Sequence, residues 1–179
     1  LPGLTEHLSV LKNVSGSAGR FAFASAPGSP VKCRPVFPAM SFSTADLMDA
    51  HGDSLQSCTL QFRQFGARHV FSGRARTLQT FEDNALVREL LAAPGDGAVL
   101  VVDGGGSLAT ALMGDQLAGL ALRNQWAGVI LNGAVRDTVA LGKLDLGIKA
   151  LGANPRKSAK AGLGAIDAPV SFGGIRVTP

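Results

Sequence analysis

Two short, uninterrupted apolar runs constrain the fold of this 179-residue chain most strongly. Residues 98–102 read AVLVV and residues 127–131 read AGVIL, and neither run alternates with polar residues. Such runs are typical of strands that are covered on both faces, since a half-exposed strand shows alternating polarity. Residues 115–126, between them, carry apolar residues at helical spacing. The pattern predicts two buried strands joined through a helix.

Further elements are indicated on both sides of this unit. Ser43 or Thr44 is suited to cap a helix. Glu82 and Asp83 precede a helical pattern that Pro94 and the glycine after it end. The remaining predictions are a strand over 69–81, a turn at 132–133, a short helix over 138–144, a polar loop over 154–164 and a last strand over 170–177.

The composition is that of one soluble domain. Hydrophobic residues make up 46% of the chain, which is enough to bury a core. No apolar run approaches the roughly 18 residues of a membrane span, so no membrane association is expected. The two cysteines, Cys33 and Cys58, have no metal-like spacing and indicate no disulfide framework. A reducing, cytoplasmic location is the expectation.

Charge divides the chain into two parts. Residues 1–39 hold four basic residues and one acidic residue, in a Ser-, Ala-, Gly- and Pro-rich stretch without periodicity. We interpret this stretch as an N-terminal extension, either flexible or an organelle-targeting segment, and residues 40–179 as the folded domain. The folded domain is nearly neutral, which argues against a nucleic-acid partner.

A glycine-rich loop, DGGGS at residues 103–107, follows the first apolar run. It is either a tight connection or a loop that contacts a ligand, since glycine permits close approaches that a side chain would prevent. The G-x-G-x-x-G pattern of a dinucleotide-binding or methyltransferase fold is absent from it. A Rossmann methyltransferase is therefore disfavoured.

The residues that flank the second apolar run carry the candidate chemistry. Asp115 and the pair Arg136-Asp137 form a D-x20-R-D pattern. At the start of the predicted helix, the N–H groups of Gln116 and Leu117 lack intrahelical partners and would bind an anion. Arg136 can pair with a carboxylate, and Asp137 is a ligand suited to Mg²⁺.

Simpler interpretations of the same residues exist. Asp115 alone is typical of a helix cap, and Arg136-Asp137 alone is typical of a surface pair or a turn. No Ser-His-Asp set, zinc cluster or P-loop accompanies them. Spacing by itself therefore does not predict a reaction.

Several ordered motifs carry a family resemblance. The segments FEDN at 81–84, VVDGGGS at 101–107, NQWAG at 124–128, NGAVRD at 132–137 and FGG at 172–174 resemble the family of the regulator of ribonuclease activity A and the 4-hydroxy-4-methyl-2-oxoglutarate aldolases. The resemblance spans roughly residues 42–178. It implies a single-domain α/β fold of the β/β/α swivelling-type sandwich and a homotrimer with the active site between protomers.

The D-x20-R-D pattern resembles that of the aldolases in this family. The resemblance implies that the substrate carboxylate contacts the residues from Gly114 to Leu117 and that Arg136 binds the 2-oxo acid. Asp137 would hold a divalent cation, Mg²⁺ or Mn²⁺. The implied reaction is retro-aldol cleavage to two pyruvates, with oxaloacetate decarboxylation as a side activity. We expect a metal-activated water, positioned by Asp115, to accept the proton.

The resemblance also leaves a second possibility open. Non-catalytic members bind ribonuclease E and can lack these acids, so a ribonuclease is a possible partner. The presence of both Asp115 and Asp137 favours the enzyme. Family members usually continue past the last strand with an acidic segment, and we expect this chain to lack a catalytic acid that such a segment would supply.

Overall fold

The computed structural model describes residues 8–9 and 43–179. The predicted extension over residues 1–39 lies outside the described residues, apart from a two-residue strand. The helices of the described residues are α1 (Thr44–His51), α2 (Ala85–Ala92), α3 (Asp115–Arg123) and α4 (Thr138–Leu141), and a 3-10 turn lies at Gly52–Ser54. The strands are β1 (Leu8–Ser9), β2 (Arg63–Gln64), β3 (Ser72–Gly73), β4 (Ala75–Gln79), β5 (Val99–Asp103), β6 (Ala111–Met113), β7 (Gly128–Val135), β8 (Gly147–Ala153), β9 (Ala165–Ile166), β10 (Val170–Phe172) and β11 (Ile175–Val177).

A seven-stranded sheet forms the centre of the fold. Its strand order is β2-β8-β7-β5-β4-β9, with β6 paired to β7 beyond this path. The inner strands β4, β5, β7 and β8 are parallel, and β6 is parallel to β7. The outer strands β2 and β9 are antiparallel to their neighbours. The carboxyl ends of the parallel strands therefore meet at one edge, the usual place for a ligand site in an α/β sheet.

The sheet is covered on both faces, as the uninterrupted apolar runs predict. Leu100 and Val102 of β5 pack into a core cluster shared with α2 and α3. Val99 and Val101 point to the opposite face, where Val170 and Val177 of the β10–β11 hairpin cover them. The β10–β11 hairpin, the seven-stranded sheet and the helices thus form three successive layers. This confirms the predicted α/β class and its β/β/α layering.

The helix predictions are confirmed, with physical detail added. Ser43 caps α1 in a reciprocal capping box with Asp46. Helix α2 ends at Ala92, before Pro94. Two side chains that follow α3 donate hydrogen bonds to carbonyl groups at the end of α2. Asn124 Nδ2 donates to Leu91 O at 2.8 Å, and Trp126 Nε1 donates to Ala93 O at 3.1 Å. None of the described helices is long and apolar enough to cross a membrane.

Three predictions were wrong. The strand predicted over 69–81 is divided into β3 and β4, which belong to different sheets. Asn132 and Gly133 do not turn the chain, because β7 runs through them to Val135. They form an irregularity in the β7–β8 register, and Asn132 Nδ2 donates to Asp103 Oδ1 at 2.8 Å. This hydrogen bond offsets the cost of burying a polar side chain inside the strand. Residues 170–177 are not one strand but the β10–β11 hairpin, whose turn is Gly173-Gly174, both at positive φ.

A lysine lies buried in the sheet without a counter-charge. Lys149 of β8 is only 4% exposed and is paired in register with Gln64 and Ile130. Within the described residues its side-chain ammonium makes no hydrogen bond or ion pair. Burial lowers the pKa of the Lys149 ammonium below its usual value of 10.5. Desolvation in the folded state therefore disfavours the ionised form of this lysine.

Replacement of this lysine is expected to stabilise the protein. Lys149→Met keeps the length of the side chain and removes the buried charge, so the melting temperature at pH 7 should rise by a few degrees. The pKa of Lys149 is lower in the folded protein than in the unfolded one, so the charged ammonium destabilises the parent fully at pH values below the folded pKa. This destabilisation decreases as the pH rises from the folded pKa towards the unfolded value of 10.5. Calorimetric melting from pH 7 to pH 10 should show the gap closing. An equal or lower melting temperature for the variant at pH 7 contradicts this account.

Candidate functional site

The candidate site lies where two neighbouring parallel strands end. Strand β6 ends at Met113 and leads into α3, and β7 ends at Val135 and leads to Arg136-Asp137. The N–H of Arg136 donates to the carbonyl of Met113 at 2.9 Å. The pairing of β6 with β7 thus places the two ends of the D-x20-R-D pattern side by side.

All the predicted site residues surround one cavity of about 260 Å³. The start of α3 lies on one side, and the Arg136-Asp137 pair lies beside it. The predicted residues that line the cavity are Gly114, Asp115, Gln116, Leu117, Arg136 and Asp137. The structure therefore brings together the six residues of the D-x20-R-D site that the sequence predicts.

The Asp137 carboxylate lies at the amino end of α3. Its Oδ2 accepts from Arg136 Nε at 3.0 Å and from the N–H of Asp115 at 3.4 Å. Asp137 adopts a left-handed backbone conformation, φ 55° and ψ 39°, which aspartate tolerates better than most residues. The pair thus faces a ligand-sized cavity and is more than a surface ion pair.

Several polar groups of the site have no partner within the described residues. They are Asp137 Oδ1, the two terminal nitrogens of Arg136 and the backbone N–H of Leu117. The N–H of Gln116 was predicted to be unpaired, but it donates to Asp115 Oδ1 at 2.7 Å. Asp115 is residue N1 of the helix, and Gly114 is its N-cap. The helix start thus offers the N–H of Leu117 as its unpaired donor.

A second set of residues in the cavity escaped the sequence analysis. Lys157, Ser158 and Lys160 come from the predicted polar loop, and Asn84, Ala85 and Arg88 come from the start of α2. With Arg136, the cavity is lined by four cationic side chains and two carboxylates. This excess of positive charge favours anionic ligands. The basic residues of the 154–164 loop were the available signal, because the rest of the domain is nearly neutral.

A buried carboxylate holds that loop against α2. Asp83 is 1% exposed, and it accepts from the N–H of Ala85 at 2.9 Å and from those of Ala161 and Gly162. Burial raises the pKa of the Asp83 carboxyl, but hydrogen bonds from four backbone N–H groups outweigh it, and the pKa lies below its usual 3.8. Asp83 thus joins the two cationic segments of the cavity.

The glycine-rich loop is a tight connection. The N–H groups of Gly104 and Gly106 both donate to Asn132 O at 3.1 Å, and that of Gly105 donates to Asp103 Oδ1 at 3.0 Å. All three glycine N–H groups are therefore engaged inside the protein. The loop does not line this cavity, which favours a tight connection over contact with a ligand bound there.

The donor set of the cavity suits a hard divalent cation that keeps most of its water. The described residues contain no cluster of three or more His, Cys, Asp or Glu side chains able to enclose a metal ion. Asp115 and Asp137 do share the cavity, and Asp137 Oδ1 is unpaired among the described residues. Mg²⁺ is commonly bound by one or two carboxylates plus water. The residues present therefore fit Mg²⁺ or Mn²⁺ and do not fit a structural zinc site.

Comparison with known proteins gives consistent matches. A family model described as RraA-like, Aldolase/RraA, matches residues 44–179. A curated protein of Aromatoleum aromaticum carries the provisional name 4-hydroxy-4-methyl-2-oxoglutarate aldolase. It is 54% identical over 140 residues, which are 78% of this chain and 88% of that protein.

Two solved structures are also similar. The RNA-processing inhibitor RraA from Thermus thermophilis is 49% identical with a TM-score of 0.74, over 78% of this chain and 85% of the other. A protein of Geobacillus kaustophilus named S-adenosylmethionine:2-dimethylmenaquinone methyltransferase is 47% identical with a TM-score of 0.74, over 77% and 86% of the two chains. The names of these relatives denote different functions, so the residues of the cavity must discriminate between them.

Gly114 provides the first test of the cavity. A Cβ atom there would lie 2.5 Å from Asp137 Oδ2 and 3.0 Å from Arg136 Cγ. Gly114→Ala should therefore displace the ion pair and weaken the binding of an anionic ligand, with pyruvate as the probe, by about tenfold or more. The melting temperature should hardly change, because φ is −134° and suits any residue. Isothermal titration calorimetry with pyruvate measures the effect.

Gly119→Ala is the matched control within the same helix. Its Cβ atom would meet only Arg123 Nη1, at an ordinary 3.5 Å. This variant should keep its pyruvate affinity and gain up to about 1 kcal/mol of helix stability. If Gly114→Ala binds pyruvate as well as Gly119→Ala does, the close packing at Gly114 has no role in the site.

Asp83 provides the second test. Asp83→Asn replaces a carboxylate acceptor by an amide and should cost about 2 kcal/mol at pH 7. The pKa of Asp83 is lower in the folded protein than its usual value of 3.8, so the carboxylate stabilises the folded state fully above pH 3.8. This stabilisation is lost as the pH falls through the folded pKa. Thermal melts at pH 7 and pH 3 should show the difference between parent and variant shrinking in acid. A difference that is the same at both pH values contradicts the role assigned to the carboxylate.

Proposed function

This chain belongs to the Aldolase/RraA family, and we propose that it is a divalent-metal-dependent aldolase that cleaves 4-hydroxy-4-methyl-2-oxoglutarate to two pyruvates. One observation carries the proposal: a guanidinium, two carboxylates and a helix N–H that has no partner among the described residues line a single cavity. These groups bind a 2-oxo acid and a hard cation together. A regulator that acts through its outer surface would need none of them.

The helix start and Arg136 are suited to the 2-oxo acid end of the substrate. The N–H of Leu117 is unpaired among the described residues and lies at the positive end of the α3 dipole, where a carboxylate is stabilised. The terminal nitrogens of Arg136 offer further donors from the other side of the cavity. The substrate is thereby oriented with its 2-oxo group towards Arg136 and Asp137.

Asp137, with Asp115 beside it, would hold the divalent cation. When bound, Mg²⁺ or Mn²⁺ polarises the 2-oxo group of the substrate. The Arg136 guanidinium adds positive charge where the oxygen at C2 becomes negative, and it is already oriented by Asp137 before the reaction.

The bond changes follow from these positions. A water molecule held by Asp115 takes the proton of the 4-hydroxyl group and passes a proton to the Asp115 carboxylate. The C3–C4 bond then breaks, C4 becomes the carbonyl carbon of the first pyruvate, and the electron pair passes to the enolate of the second. The proton held by Asp115 returns through the water to C3, which completes the second pyruvate and restores the carboxylate. Oxaloacetate loses CO₂ through the same enolate, so we include decarboxylation in the proposal.

The methyltransferase name of one relative finds no support in this chain. Its glycine-rich loop engages all three glycine N–H groups internally. The loop also lies outside the lining of the cavity. A methyl donor bound in the Rossmann manner would need the loop N–H groups free and a G-x-G-x-x-G pattern, which residues 103–107 lack.

Regulation of a ribonuclease is the second candidate function. It is favoured by the 49% identity to the Thermus protein named as an RNA-processing inhibitor. Binding of this kind would use the outer surface and would not depend on a metal or on the ion pair in the cavity. The two functions can therefore be separated by changing Arg136 and Asp137.

Metal-dependent pyruvate release tests the proposed activity. Purified protein with Mg²⁺ should release pyruvate from 4-hydroxy-4-methyl-2-oxoglutarate, and EDTA should abolish the release. Asp137→Asn and Arg136→Ala should each lower kcat/KM by about a hundredfold or more. Coupling to lactate dehydrogenase measures the rate.

Asp145→Asn is the control for loss of an ion-paired acid. Asp145 pairs with Arg68 at 3.0 Å outside the cavity, so this variant should keep full activity. Absence of pyruvate release by the parent protein with either metal, together with ribonuclease binding that survives Arg136→Ala, would establish the regulator instead.

A further inference from the structure

A group of hydrogen bonds at the end of β5 takes no part in the proposed reaction. The Asn132 side chain is buried, and its Nδ2 donates to Asp103 Oδ1 at 2.8 Å. The backbone carbonyl of Asn132 accepts from the N–H groups of Gly104 and Gly106, both at 3.1 Å. These three hydrogen bonds, called the Asn132 clamp below, hold one residue of β7 against β5 and the glycine-rich loop.

The clamp lies at the irregularity of β7. Between the residues that pair with Ala150 and Gly152, β7 has two residues, Asn132 and Gly133, whereas β8 has one. An extra residue in one strand of a pair is a β-bulge, and bulges beside active sites re-aim the side chains of the strand. The Asn132 clamp therefore holds the point at which the course of β7 is set.

The neighbour of β7 changes at the same point. Up to Asn132, β7 pairs with β5, and from Ala134 onward it pairs with β6, which leads into α3. The Arg136-Asp137 pair follows directly after this second part. The clamp thus separates the part of β7 that belongs to the central sheet from the part that carries the site.

The site tolerates little movement of the end of β7. Residues of a strand are spaced by about 3.3 Å, so a slip by one residue would move Arg136 by about that distance. The N–H of Arg136 lies 2.9 Å from Met113 O, and Asp137 Oδ2 lies 3.4 Å from the N–H of Asp115. A slip would break both contacts, and a displacement of about 1 Å is enough to cost a hundredfold in an active site.

We propose that Asn132 and Asp103 are positioning residues of the site. The hydrogen bond between them holds the β7 bulge and thereby fixes where Arg136 and Asp137 lie relative to the start of α3. Neither Asn132 nor Asp103 lines the cavity, so both act through the Arg136-Asp137 pair. The inference rests on the proposed function only for the chemical role of that pair.

Exchange of the amide and the carboxylate tests the proposal. Asn132→Asp places a second carboxylate against Asp103, and the two like charges repel each other. This variant should bind pyruvate about tenfold more weakly or worse, measured by titration calorimetry on the full chain with Mg²⁺. The double variant Asp103→Asn, Asn132→Asp again sets one amide donor opposite one carboxylate, so its affinity should return to within about threefold of the parent.

A measurement without ligand follows the ion pair itself. Arg136 Nε donates to Asp137 Oδ2 at 3.0 Å. A charge-assisted hydrogen bond shifts the NMR signal of its proton downfield and slows exchange with water, and Arg136→Lys assigns this signal in the parent. The signal should be lost in Asn132→Asp and in Asn132→Ala, which removes the donor without adding a charge. The double variant should retain it.

Asn124→Ala is the matched control for loss of a side-chain amide. Asn124 Nδ2 also donates at 2.8 Å, to Leu91 O, but it follows the far end of α3 and does not line the cavity. Its melting temperature should fall as that of Asn132→Ala does, while its pyruvate affinity and Arg136 signal should stay at the parent values. An unchanged signal and affinity in Asn132→Ala, no recovery in the double variant, or an equal loss in Asn124→Ala would each overturn the positioning role.

The ligand-free signal separates this role from the proposed reaction. Loss of the Arg136 signal in the Asn132 variants, without pyruvate release from 4-hydroxy-4-methyl-2-oxoglutarate by the parent, would support the positioning role and refute the aldolase. Pyruvate release by the parent, with an unchanged Arg136 signal in the Asn132 variants, would support the aldolase and refute the positioning role.

Discussion

Strands β6 and β7 run parallel to each other, and where they end the N–H of Arg136 donates to the carbonyl of Met113 at 2.9 Å. This contact connects the start of α3 with the Arg136-Asp137 pair. Helix α3 and the body of β7 occupy the residues between the two ends of the motif. A change in the register of these strands would separate the helix dipole from the guanidinium, and the cavity would lose its anion-binding groups.

The electrostatics of the cavity depend on a second, longer-range connection. Asp83 is buried and receives hydrogen bonds from the start of α2 and from the loop beyond Lys160. A single carboxylate thus brings the cations of two distant segments to one cavity. The excess positive charge contrasts with a domain that is nearly neutral as a whole. Such local concentration of charge is what a small polyanionic ligand requires.

Local patterns predicted local structure well. The capping box at Ser43, the end of α2 before Pro94 and the doubly covered strand β5 all follow from the residues at those positions. The Asn132-Gly133 prediction failed because a turn signal of two residues was outweighed by tertiary bonds to Asp103 and its loop. The FGG segment divided the last strand into a hairpin, since both glycines adopt positive φ there.

The amino-acid sequence by itself predicted the four helices of the domain, the two central buried strands, the family and the six candidate site residues from Gly114 to Asp137. Those residues sit at helix and strand ends, where local physics governs which groups stay unpaired. Only the tertiary structure decided that Ser158, Lys160 and Arg88 share their cavity. The contacts responsible join segments far apart in the chain, through the Ala111–Lys157 bridge and the buried Asp83 carboxylate, and no local pattern encodes them.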